Sequence, residues 1–109
     1  MKIDLNQLEF IEPLLREIAL EVENRFGEKT LTSLFRIGDT GVHGQLPLRG
    51  LDFSCSTMEH GKEVMKFVNS MWTYDPVRPD KQCCKCHDVG TGLHLHLQVH
   101  PNTVEVNHV

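Results

Sequence analysis

No run of apolar residues in this chain approaches the roughly 20 that a membrane span requires, so insertion into a bilayer is not expected. Nor is there a basic run or an excess of positive charge. The 11 Lys and Arg are outnumbered by 15 Asp and Glu, for a net charge of −4, which argues against nucleic acid as a partner. Internal repeats and low-complexity segments are missing too. The opening Met1-Lys2-Ile3-Asp4-Leu5-Asn6 holds no apolar signal region, so the chain is expected to be cytoplasmic when made. Reduced thiols then follow for its four cysteines. Cys83 and Cys84 are neighbours, which bridge each other only under strain. The expected role for the Cys83, Cys84 and Cys86 group is that of small hydrophobes in a strand. At 109 residues the chain is one domain, 1–109, able to bury a core without staples and expected to act as a monomer.

The elements can be read from periodicity. Leu8, Ile11, Leu15, Ile18, Val22 and Phe26 recur at spacings of three and four, the stripe of an amphipathic helix. Pro13 fits best at a first turn, so a short turn or helix from about Leu5 precedes a main helix from Pro13 to Phe26, which Gly27 ends. Thr30 to Arg36 reads as a strand and residues 37–49 as a loop, from three glycines and a proline. Gly50 to Ser56 is a strand with Leu51, Phe53 and Cys55 inward and Asp52 outward. Glu59 to Trp72 is a helix with Val64, Phe67, Val68 and Met71 inward. After a proline-rich connection, Lys81 to His87 and Leu93 to His100 form a hairpin about a turn at Asp88–Gly92. Pro101 stops it, and the tail beyond is expected to be loose. The fold class is therefore α+β, a small mostly antiparallel sheet with helices packed on one face.

The other face carries the chemistry. Seven histidines is many for this length, and four of them lie between residues 87 and 100. In Leu93-His94-Leu95-His96-Leu97-Gln98-Val99-His100 the leucines and valine point one way and His94, His96, Gln98 and His100 the other. Two imidazoles one pleat apart suit a metal ion, or a metal plus an acid/base group. Upstream, His43 sits in a glycine-rich loop and Asp52 on a strand. His43, Asp52 and one histidine of the pair make three ligands and leave one position open, the pattern of a catalytic zinc. Arg36 would fork onto a carboxylate or a developing oxyanion.

The order His…Asp…His-x-His resembles the zinc D-alanyl-D-alanine carboxypeptidase superfamily, which includes phage endolysin peptidases and, distantly, the hedgehog signalling domain. Ser33-Leu34-Phe35-Arg36 is similar to the first part of the family pattern. His43 through Arg49-Gly50-Leu51-Asp52 is similar to the second. Trp72 to Pro79, then His87-Asp88-Val89-Gly90-Thr91-Gly92 and the His-x-His strand, are similar to the third. The likeness covers residues 30–100 and is nearest to short phage and prophage members. It implies zinc held by His43, Asp52 and His96, with His94 as the acid/base or oxyanion-stabilising group and His87 and Asp88 in reserve. It also implies hydrolysis of peptidoglycan stem peptides as carboxypeptidase or endopeptidase. Action at the cell wall would then follow release through a partner pore (a holin) or delivery in a virion. Two departures stand. The first spacing is His-x8-Asp, two longer than usual, and Leu93 occupies the place of the family's Glu in Glu-x-x-His. Without that Glu a non-catalytic zinc-binding module, hedgehog-like or a virion component, is the second reading. A structural Cys/His zinc domain built on Cys83-x2-Cys86 is the third.

Overall fold

The computed structural model describes residues 11–27, 31–33, 49–88 and 92–106. Two helices and two antiparallel sheets build it: α1 (Pro13–Phe26), β1 (Leu31–Ser33), β2 (Gly50–Ser54), α2 (Met58–Met71), β3 (Trp72–Thr73), β4 (Cys84–Asp88), β5 (Leu93–Gln98) and β6 (Val104–Glu105). The main sheet runs β1-β2-β5-β4, and β3 pairs with β6 apart from it. This is the α+β class that the sequence predicts, with every strand pair antiparallel.

Each helix starts and stops for a local reason. Glu12 caps α1 by accepting the Leu15 N–H at 3.0 Å, and Pro13 needs no donor at the first position. Gly27 ends it with φ 93°, a left-handed value that glycine adopts without a β-carbon clash. Thr57 caps α2 by accepting the His60 N–H at 3.1 Å. Leu15, Ile18, Ala19 and Val22 of α1 and Val64 and Val68 of α2 are buried against Leu51, Phe53, Leu95, Leu97 and Val99 of the sheet. Phe67 and Met71 are half-buried at the edge of this core. The position a β-carbon would take on Gly61 lies 3.2 Å from Cys55 Sγ and closer still to Cys86 Sγ. A glycine there lets α2 sit tight on the sheet. Asn69 fixes the other end of the same contact. Its amide donates to the Cys84 carbonyl and its oxygen accepts the Cys84 N–H, both at 3.0 Å.

Three expectations are corrected. As far as Val106 the tail past Pro101 is not loose: Val104 pairs with Thr73 and Glu105 with Trp72, and Val106 N–H reaches Met71 O at 2.8 Å. The Thr103 hydroxyl makes this return possible, accepting the His100 N–H at 2.8 Å and donating to Tyr74 O at 2.7 Å. The closing strand ends at Gln98, so His100 leaves the histidine row and its ring lies 5.6 Å from that of Tyr74. The fourth strand starts at Cys84 and takes in Asp88, which the sequence assigns to the turn. The proposed turn or helix from Leu5 and most of the predicted 30–36 strand and 37–49 loop lie outside the described residues.

Below Tyr74, Asp75 is 3% exposed and ties down the proline-rich connection. It accepts the Val77 N–H at 3.0 Å and the Arg78 Nε at 3.0 Å. The Val77 hydrogen bond, with Arg78 and Asn102 adding to it against the opposing effect of burial, holds the Asp75 carboxyl below its ordinary 3.8. A carboxyl whose folded pKa is depressed contributes stability that is complete above the unfolded value and is lost as pH falls through the folded one. Urea midpoints should therefore drop for the wild type as pH goes below about 4. Asp75→Asn should be less stable at pH 7 and show a shallower acid dependence; parallel pH curves for the two proteins would refute this role.

Candidate functional site

The polar face of the main sheet is ordered by register. Asp52, His96 and Lys85 form one cross-strand row, and Ser54, His94 and His87 form the next. The ladder bonds around them explain which side chains meet. Val99 N–H bonds Arg49 O at 2.8 Å and Cys55 N–H bonds Leu93 O at 3.1 Å, so odd-numbered residues exchange the β2–β5 hydrogen bonds. Asp52 and His96 thus fall on a non-hydrogen-bonded pair, where the strands bring Cα atoms to about 4.5 Å and side chains closest. Asp52 Oδ1 lies 2.7 Å from His96 Nδ1, and both side chains are 14% exposed.

The other ring nitrogen is also held. His96 Nε2 is 3.0 Å from Gln98 Oε1, and the Gln98 amide is oriented by its own donation to Gln82 O at 2.8 Å. With its nitrogen committed to a carbonyl, Gln98 can only accept from His96, so Nε2 carries the proton. Nδ1 and the Asp52 carboxylate then face each other across 2.7 Å. A nitrogen lone pair and a carboxylate oxygen repel at that distance. A proton on Nδ1 satisfies the contact, and so does a cation bound by both atoms. A metal-ligating histidine characteristically donates its second N–H to an oxygen acceptor, which is what Gln98 provides. The donor types, and the hydrogen bond from the second ring nitrogen to Gln98, fit zinc. Among the described residues no group of three His, Cys, Asp or Glu could hold a metal, so the pair supplies two ligands and not three.

The other predicted site residues are distributed as follows. His94 sits directly opposite His87, and the His87 ring stacks against His96 with centroids 6.5 Å apart. Asp52, His96, His94 and His87 are thus brought together. Asp88 is not. It pairs with Leu93 and shares the alternation of Cys84 and Cys86, which puts it on the leucine side of the sheet, away from His94. His43 and Arg36 lie outside the described residues. Two residues were missed as site members, Gln98 and Lys85. Gln98 stands in the even-numbered row with the histidines, two residues past His96, and that spacing was its available signal. Lys85, opposite His96, had none, because only the β4–β5 register reveals it.

Long-range proton–nitrogen NMR spectra should show His96 as the Nε2–H form at neutral pH. Gln98→Leu should release that constraint while leaving the His94 signals unchanged. An unprotonated Nε2 in the wild type would overturn the assignment.

Among the described residues no helix is long and apolar enough to cross a membrane. Compared with protein-family models, with curated proteins and with solved structures, the chain matches none.

Proposed function

We propose that the chain is a zinc peptidase of the D-alanyl-D-alanine carboxypeptidase kind, a phage or prophage hydrolase acting on peptidoglycan stem peptides. The observation that carries this reading is the Asp52–His96 contact of 2.7 Å with the second histidine nitrogen locked by Gln98. The order His43, Asp52, His96 in the chain, which resembles that superfamily, supports the same reading.

Asp52 and His96, with His43 as third ligand, would hold the ion. Zinc, when bound, lowers the pKa of its water to near 7 and polarises a carbonyl. His94, one pleat from His96, takes a proton at a ring nitrogen from the attacking water and returns it to the leaving amine. His87, facing His94 across the β4–β5 pair, orients that imidazole or stands in for it. Lys85 offers a fixed positive charge beside His96 for a substrate carboxylate, such as that of a terminal D-alanine. Because Leu93 stands where the family has Glu, the proton transfer falls to these two imidazoles.

Purified protein should carry about one zinc per chain. Asp52→Ala, His96→Ala and His43→Ala should each strip it, as read by elemental analysis after dialysis. His94→Ala should keep the zinc and slow release of D-alanine from a stem peptide by roughly 10²–10⁴-fold, the usual weight of one acid/base group. Zinc retained in both Asp52→Ala and His96→Ala would sink the ligand set. A zinc-loaded wild type that opens no bond in isolated wall peptides would favour the non-catalytic module instead.

A further inference from the structure

The leucine side of the sheet carries a second cluster, of sulfur, which the imidazole face does not use. All four cysteines are free. Cys84 and Cys86 alternate with Lys85 on β4 and so face α2, and Cys55 follows β2 on the same side. Cys83 and Cys84 are sealed in the core, where burial pushes their thiols up to about 11 and about 12. Burial raises the Cys86 thiol too, but Cys86 and Cys55 lie nearer the surface. Both are only half-buried, and both sulfurs converge under the first turns of α2, where Gly61 alone leaves them room. Cys55 Sγ donates its proton to Thr57 O at 3.1 Å. The Cys86 sulfur lies against the same point beneath Gly61 as the Cys55 sulfur.

Two thiols that converge on one point suggest first a disulfide, but the topology opposes it. Cys55 lies on the β2 side of β5 and Cys86 on the β4 side, opposite Leu93 and Leu95 respectively. Two strand spacings alone separate their backbones by roughly 9–10 Å, and the two-residue offset along β5 adds to that. A disulfide tolerates Cα separations only to about 7 Å. Zinc is disfavoured on other grounds, since it asks for four donors, and among the described residues no third His, Cys, Asp or Glu completes a group. A soft, monovalent, thiophilic cation asks for less, because thiolates select it and two of them suffice.

We propose that Cys55 and Cys86 form a two-coordinate thiolate site for copper(I), on the face of the sheet opposite the imidazole site. Binding exchanges two S–H bonds for two S–Cu bonds and releases two protons to solvent. No electron is transferred. The cation lies between the two sulfurs and offsets one of the two negative charges they carry as ligands.

The test is anaerobic titration of the full chain with ascorbate-reduced copper against the chromophoric chelator bicinchoninate. Wild type should withdraw one copper(I) per chain. Cys55→Ser and Cys86→Ser should each weaken it by at least about 100-fold, since a lone thiolate makes no pair. Cys83→Ser and His96→Ala, each checked for folding by circular dichroism, should leave it unchanged. X-ray absorption should show a first shell of two sulfurs. The proposal fails if the folded wild type withdraws no copper, if the Cys55→Ser/Cys86→Ser double variant competes like wild type, or if the shell is nitrogen.

Discussion

Strand β5 is paired on both sides, with β2 and with β4, and a strand so placed cannot slip. A shift by one residue would carry Leu95 and Leu97, both 0% exposed, into water and drive His94 and His96 into the core. Fully burying one such leucine contributes about 1.5–3 kcal/mol, and unpaired imidazoles in the core would add a further penalty. The hydrophobic face thereby sets the geometry of the polar one. Asp52 is carried to His96 because Leu51 and Phe53 are carried to Leu97 and Leu95.

This coupling decides what sequence reading reaches. The fault-free alternation of residues 93–99, the α1 stripe with Pro13 at its head, and the α2 stripe all express a period that side-chain burial enforces, and each predicts its element to within a residue or two. Asp52 and His96 were legible as members of one face by the same logic. Their contact was not, because it depends on which cross-strand pairs exchange ladder bonds. Lys85 was invisible for the same reason, and Asp88, read as part of the turn, had no face until the strand was seen to include it. The tail was misread because its two-residue pairing rests on the hydroxyl of Thr103 and on Trp72–Thr73, too short a match for any periodicity to reveal.

Among the described residues, the Asp52–His96 pair and the half-buried thiols Cys55 and Cys86 lie on opposite faces of the sheet. Imidazole and carboxylate gather where water can reach, and sulfur gathers under the helix. The sheet, one residue thick, keeps them apart with no loop or second domain. The alternation of Lys85 with Cys84 and Cys86 along β4 is what sends donors of the two kinds to opposite faces.

The Asn69 bridge to Cys84 has a consequence in crowded solution. Among the described residues strand β4 is one of the two outer strands of its sheet, and an outer strand presents unmatched peptide groups to any passing chain. At Cys84 both outward groups are already taken by a carboxamide that mimics a neighbouring peptide but leads to no further strand. Another copy approaching to extend the sheet would find that end of the edge filled by a side chain anchored in a helix, and edge-to-edge growth would lack its first pair of hydrogen bonds.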